Sequence, residues 1–480
     1  MGEGNNGVNI VEAWRDPELF GSQYKDFDSW TNWQTLVKSI FGLPLTDEEL
    51  SFFKEVSGRD IPPQQQVSEA WLLIGRRSGK SRTAALIATF LACFRDYSPY
   101  VAPGERVSVL CMACDKTQAR VIFRYCQGLM RSVPMLAQMI ASESAETIGL
   151  NNGVDLEVVP NSFRSLRGRT CAAAILDETA FWRSESSSNP DHEVLAALRP
   201  SLATIPNALI LAVGSVYRKA GAQFDAYKRY FGKSDADTLV IRATAQQLNP
   251  ALRQSLVDNA MEADAEAARS EWFSEFRSDL SAFLDADTVE RCIEIGCLER
   301  PPRFSIRGEH ITYTAFCDPS GGMHDAMTLA IGHKEGDRCV IDLVRGVPAP
   351  FSPETVVKEF AALLKAYRLH EVVGDRYSGL WCAESFQKCG VSYRYSDLSK
   401  SECYVEALAR FSTGIVDLID HKLLKNELLS LERRTGRSGR DTVDHPPGGR
   451  DDHANAVCGC VALLSTMSVL PAREVKIVGW

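Results

Sequence analysis

The chain has 480 residues, with 53 Lys and Arg against 62 Asp and Glu, a net charge of −9, and 45% hydrophobic residues. This is the composition of a soluble globular chain too long for one ordinary core, so two or three domains are expected. It argues against a protein that coats nucleic acid non-specifically, although local basic patches still contact phosphate. The fourteen cysteines, many of them in apolar runs, do not suggest a disulfide scaffold, and no apolar run reaches the roughly 18–20 residues of a membrane span.

Residues 1–66 read as a helical lead-in. Trp30, Trp33, Leu36, Val37 and Ile40 recur at helical spacing, and Thr46-Asp47-Glu48-Glu49 has the form of a helix start. Over 67–245, short apolar strands (71–74, 107–113, 172–176 and 208–213) alternate with helices, the mark of an α/β domain with a mostly parallel sheet. The first strand runs into Ile74-Gly75-Arg76-Arg77-Ser78-Gly79-Lys80-Ser81 and then a helical pattern. Strand, glycine-containing turn and helix are the context of a phosphate-binding loop, with Ile74 where the first glycine is expected. Backbone N–H groups of Gly75 to Gly79 and the helix N-terminus would face phosphate. Lys80 would reach the β/γ oxygens of ATP, and Ser81 would ligate Mg²⁺.

The strand at 172–176 ends in Asp177-Glu178. In such NTPases the first acid holds Mg²⁺ and the second polarises the attacking water, so Asp177 is the metal candidate and Glu178 the catalytic one. The strand ending in Gly214-Ser215 offers Ser215 as a γ-phosphate sensor. Arginines crowd this region: Arg76 and Arg77 in the loop, and Arg164, Arg167 and Arg169 before the acidic strand. Arg76 is the candidate for a catalytic role.

From 246 to 305 apolar strands give way to Ala-, Glu- and Arg-rich sequence, expected to be a helical linker. A second α/β pattern fills 306–470, with strands at 311–317, 326–333, 338–344 and 371–375 and helices near 402–411, 423–434 and 452–466. One strand ends on Asp318 and another on Asp375, while Asp451-Asp452 opens the last helix. Carboxylates brought this close repel unless a hard divalent cation neutralises them. Two such ions can activate water for phosphodiester cleavage, which makes Asp318, Asp375, Asp451 and Asp452 candidates for two Mg²⁺ or Mn²⁺. Of the last pair, one is expected to cap the helix and the other to bind metal, Asp452 being favoured. Asn455 shares the same face one turn on. Arg433-Arg434-Thr435-Gly436-Arg437-Ser438-Gly439-Arg440 is a basic loop, and 471–480 a short tail.

In motif order, from about 30 to 467, the chain resembles the large terminase subunit of tailed bacteriophages. Arg76 to Ser81 resembles that family's deviant Walker A loop and Leu176-Asp177-Glu178 its Walker B acids. Gly214-Ser215 falls where the coupling motif lies, and Asp318, Asp375 and Asp451-Asp452 match its nuclease motifs. Asn455 stands where the family often has another Asp. The resemblance implies a P-loop ATPase domain of the ASCE type, a helical linker and an RNase H-like nuclease domain. It implies an ATP-driven motor docked as a homo-oligomeric ring on the portal protein of a procapsid. There it would drive double-stranded DNA inward and cut concatemers, with a small terminase subunit selecting the genome. The expected location is the host cytoplasm, transiently on the procapsid, with no membrane. Gln34 and Gln64 to Gln66 are candidates for contacting adenine. A helicase-like or repair ATPase fused to a metal-dependent nuclease is the alternative.

Overall fold

The computed structural model describes residues 8–24, 26–114, 116–160, 166, 168–182, 190–306, 309–375, 379–435, 441–446 and 448–467. The chain divides into two compact units, one built mainly from the residues up to Ser278 and the other from Asp279 onward. Among the described residues no helix is long and apolar enough to cross a membrane.

The first unit opens with helices α1 (Ile10–Arg15), α2 (Thr31–Ile40) and α3 (Asp47–Ser57). Thr46 and Glu49 close a capping box on α3, satisfying two of the N–H groups that a helix start leaves open. Eight strands follow: β1 (Glu69–Ile74), β2 (Val107–Ala113), β3 (Ile140–Glu143), β4 (Thr147–Leu150), β5 (Val154–Pro160), β6 (Thr170–Asp177), β7 (Leu209–Gly214) and β8 (Thr238–Ala243). Between and after them run α4 (Lys80–Phe94), α5 (Lys116–Ser132), α6 (Pro134–Ala137), α7 (Pro190–Leu202), α8 (Ala222–Tyr230), α9 (Ala245–Leu248), α10 (Gln254–Ala263) and α11 (Ala265–Phe273).

The sheet order is β3-β4-β5-β2-β6-β7-β1-β8, parallel from β5 to β8 and antiparallel at the β3-β4-β5 edge. Strands β1, β2 and β7 are buried at every residue, as expected where helices cover both faces of a parallel sheet. Strand β7 lies between β1 and β6, which defines the ASCE arrangement: the strand feeding the phosphate loop and the acidic strand are separated by one inserted strand. Trp14, Phe20, Trp33 and Phe53 of the lead-in share the core that contains β1 and α4, so the lead-in is part of this unit.

The expected linker does not stand apart. Residues 246–278 belong to the first unit and 279–305 to the second. The reason is local: α9 to α11 pack on the phosphate-loop side, where Ser274 Oγ donates to Ala243 O at 2.7 Å and Ser270 Oγ to Val216 O at 2.6 Å.

The second unit contains β9 (Leu280–Ala282), α12 (Ala286–Cys292), β10 (Ile293–Glu294), β11 (Ser305–Ile306), β12 (Glu309–His310), β13 (Tyr313–Asp318), β14 (Met327–Glu335) and β15 (Arg338–Val347). After these come α13 (Pro353–Ala366), β16 (Glu371–Gly374), α14 (Gly379–Lys388), β17 (Ser392–Tyr395), α15 (Lys400–Ser412), β18 (Val416–Ile419), α16 (Lys422–Ser430), β19 (Glu432–Thr435), β20 (Asp441–Asp444) and α17 (Asp452–Thr466). Its main sheet runs β10-β18-β15-β14-β13-β16-β17. Strands β13, β14 and β15 form an antiparallel meander, and β16 and β17 continue parallel to β13. That is the RNase H-like order. The helix expected over 423–434 stops at Ser430, and Glu432–Thr435 pairs as a strand with β20 and β9. The tip of the basic loop (436–440) and the tail (471–480) lie outside the described residues.

Candidate ATPase and nuclease sites

Parallel strands that end together bring their following residues to one edge, the ordinary ligand edge of an α/β sheet. Leu73 pairs with Gly214 and Asp177 with Val213, so Gly75, Glu178 and Ser215 emerge side by side. Lys80, at the start of α4, reaches all three surroundings: its Nζ lies 2.6 Å from Glu178 Oε1, 2.8 Å from Ser215 Oγ and 3.5 Å from Ile74 O. Ser215 N donates to Glu178 Oε2 at 2.9 Å. Glu178 itself sits at φ +51°, in the left-handed region, a strained conformation of the kind that clusters at functional sites.

Asp177 is buried, and Oδ1 has no hydrogen-bond partner among the described residues. Burial, then the neighbouring Glu178 charge, pushes its carboxyl up to about 7, against the opposing pull of Lys80. An orphaned, buried carboxylate oxygen beside a phosphate loop fits a hard divalent cation held with Ser81.

The loop is gripped from three sides. Gly79 adopts φ +94°, and a Cβ there would meet Trp30 Cη2 at 2.9 Å, so only glycine fits the turn. Trp33 Nε1 donates to Ser78 O at 2.6 Å, and Asn249 Nδ2 to Arg77 O at 2.7 Å. Arg76 N donates to Glu271 O at 2.7 Å, and the Arg76 guanidinium lies 3.3 Å from Glu271 Oε1. A cleft of about 400 Å³ opens beside the loop, lined by Trp30, Lys80, Ser81, Tyr125, Leu248 and Asn249 among others. Arg82 at its edge stacks 4.0 Å from the Tyr24 ring centroid. Sequence did not mark Trp30, Asn249 or Glu271 as site residues, since none lies near the loop in the chain.

The other expected arginines and glutamines separate by position. Arg169 precedes β6 and pairs with Glu157 at 2.6 Å, at the strand end opposite Asp177. Arg164 and Arg167 lie outside the described residues. Gln66 Nε2 donates to Asn207 O before β7, which places Gln64 to Gln66 at the start of β1, roughly 20 Å of strand from the phosphate loop. Gln34 is buried on α2, accepting from Arg15 Nε at 2.7 Å.

In the second unit, Cys317 pairs with Gly374, so Asp318 and Asp375 leave adjacent parallel strands together. Asp318 pairs across β14 with Thr328, whose Oγ1 donates to Asp452 O at 2.6 Å. That contact brings the start of α17 to the same edge. Asp452 Oδ2 accepts from Ala326 N at 3.1 Å, and Asp318 hydrogen-bonds Asn455. Burial holds the Asp452 carboxyl up to about 6; burial and the nearby Asp452 and Asp451 charges push Asp318 well above its usual range. Asn455 Oδ1 is buried without a partner among the described residues.

Asp451 is occupied differently. It begins α17 without capping it, and accepts instead from Lys400 Nζ and from Tyr404 Oη at 2.7 Å. Glu427 takes over near the helix start, accepting from Ala454 N and meeting His453 Nδ1, both at 2.8 Å. Sequence spacing offered no signal for Lys400, Tyr404 or Glu427. Among the described residues, no three His, Cys, Asp or Glu side chains converge as an ion requires. Asp318, Asp451 and Asp452 each take protein donors instead. The all-oxygen set of Asp318, Asp375, Asp452 and Asn455 nevertheless fits Mg²⁺ or Mn²⁺ in its chemistry. His333 lies far along β14, buried against Asp342 at 2.6 Å.

An ASCE-type P-loop unit and an RNase H-like unit are joined in one chain. Residues 71–190 match the family described as terminase large subunit, T4likevirus-type, N-terminal. No curated protein sequence matches the chain. Among solved structures it is similar to the HK97 bacteriophage large terminase, with 16% identity and TM-score 0.37, covering 83% of this chain and 91% of that one. It is similar to the large terminase of a thermophilic bacteriophage, with 9% identity and TM-score 0.37, covering 90% of this chain and 98% of that one. The large terminase nuclease of a thermophilic phage, G20c, shares 18% identity at TM-score 0.30, covering 36% of this chain and 94% of that one.

Proposed function

We propose that this chain is an ATP-driven DNA packaging motor with a metal-dependent DNA endonuclease, acting as the large terminase subunit of a tailed phage. The observation that carries the first activity is the Lys80, Glu178 and Ser215 triangle beside buried Asp177, whose Oδ1 has no hydrogen-bond partner among the described residues. On ATP binding, Lys80 neutralises phosphate charge, Ser81 and Asp177 hold Mg²⁺, and Glu178 takes the proton of the attacking water. Ser215, bonded to both Lys80 and Glu178, senses the state of the γ-phosphate. Arg76, held by Glu271 on α11, is positioned to report that state to the helices behind the loop.

In the second unit Asp318, Asp375 and Asp452, with Asn455, would hold two Mg²⁺ or Mn²⁺, which when bound supply an activated water and a clamp on the leaving oxygen. The chain's own carboxylates hold the charge and the geometry. Double-stranded DNA is the substrate, the portal protein the docking site and the small terminase subunit the selector of genomes. A homo-oligomeric ring on the procapsid, formed in the host cytoplasm, is the working assembly.

One pair of variants tests the division of labour. Glu178→Gln is expected to abolish ATP hydrolysis and leave Mn²⁺-dependent plasmid cleavage, and Asp375→Ala to do the reverse. Joint loss of both activities in folded proteins would refute the two-site reading. Unwinding of forked DNA by the protein alone would favour a helicase-like ATPase instead.

A further inference from the structure

Lys400 is the first residue of α15, fixed there by a capping box in which Ser399 and Glu402 bond each other's backbone N–H groups. A cation at a helix N-terminus opposes the helix dipole. Its position therefore needs compensation from elsewhere, and carboxylates supply it. Lys400 Nζ lies 2.9 Å from Asp451 Oδ1, 2.7 Å from Asp451 Oδ2 and 3.4 Å from Asp444 Oδ1. Asp451, whose side chain is 5% exposed, also accepts from Tyr404 Oη at 2.7 Å, so both of its oxygens are taken. Asp452, next along the chain, accepts through Oδ2 from the Ala326 N–H and lies on the face shared with the orphaned Asn455 Oδ1.

The geometry points to Lys400 as a positioning residue: a built-in cation that, with Tyr404, occupies Asp451 and leaves Asp452 as the ligand α17 offers to the carboxylate cluster. Two adjacent acids at one helix start would otherwise compete for the same ion. Lys400 removes one of them and offsets a charge that would be costly to bury alone. The assignment of Asp452 rests on the metal-site reading above; the pairing of Lys400 with Asp451 does not.

The experiment uses the full chain. Calorimetric titration with Mn²⁺ is expected to show affinity lowered roughly tenfold or more in Asp452→Asn and nearly unchanged in Asp451→Asn. Thermal unfolding in EDTA is expected to fall by about 5 °C or more in Lys400→Met, because a buried carboxylate is left unpaired. Lys400→Arg should restore most of that loss, and so should the double variant Lys400→Met with Asp451→Asn. Loss of Mn²⁺ binding in Asp451→Asn but not in Asp452→Asn would overturn the assignment. Equal destabilisation in Lys400→Met and the double variant would overturn the pairing. A wild-type chain that binds no Mn²⁺ would remove the metal reading and with it the role of Asp452, while the EDTA series still decides whether Lys400 holds Asp451.

Discussion

Replacing Glu178 by Gln should slow ATP hydrolysis and tighten ATP binding at once. The carboxylate is placed to take a proton from water, a contribution worth about 10²–10⁴ in rate, or about 3–5.5 kcal/mol of barrier. It also holds Lys80 at 2.6 Å, with the two side chains 10% and 15% exposed. Lys80 must leave that partner to meet a phosphate, so the pair opposes binding. Its worth falls between the about 1 kcal/mol of a surface pair and the about 3–5 kcal/mol lost on breaking a buried one. Taking about 1–2 kcal/mol, the Gln variant should bind a non-hydrolysable ATP analogue about 5–30-fold more tightly. Gln keeps the acceptor for Ser215 N–H, so the loop after β7 should stay in place. Phosphate-release kinetics and calorimetric titration measure the two effects. Hydrolysis within about threefold of wild type, or weaker binding, would refute the reasoning.

Three further outcomes are expected. Gly79→Ala puts a Cβ at φ +94° and 2.9 Å from the Trp30 ring, so nucleotide binding should be lost while Mn²⁺-dependent plasmid cleavage, the activity proposed for the second unit, is retained. Gly459→Ala should gain about 1 kcal/mol of helix propensity but lose about 1–3 kcal/mol to overpacking against Phe316, whose ring carbons lie 2.5 Å from the added Cβ; calorimetry should show net destabilisation. The Asp452 carboxyl is raised from 3.8 to about 6, chiefly by burial. A carboxyl raised on folding favours the folded state while protonated, and that contribution is lost as pH rises through about 6. In EDTA the protein should therefore be more stable at pH 5 than at pH 7.5, by about 1.4 kcal/mol from this group, about half of the ~3 kcal/mol that separates pH values below 3.8 from those above 6. Asp452→Asn should flatten that dependence.

The sequence determined the elements whose chemistry is local. A buried strand reads as an apolar run, a helix start as Thr46 with Glu49, and a phosphate loop as glycines before Lys80-Ser81. The acids at the ends of β6 and β13 and after β16 were legible for the same reason, because a strand end is a position in the chain. What the sequence alone left undecided depends on partners far away in the chain. The strand order that sets β7 between β1 and β6, and so brings Ser215 to Lys80 across 135 positions, comes from packing both faces of the sheet. The assignment of 246–278 to the first unit follows from hydrogen bonds of Asn249, Ser270 and Glu271 to loops that only folding brings near. The choice between Asp451 and Asp452 was open from spacing, because adjacent residues at a helix start look alike until their neighbours are known. Lys400 and Tyr404, on another helix, bond Asp451 and not Asp452, and no periodicity in the chain records them.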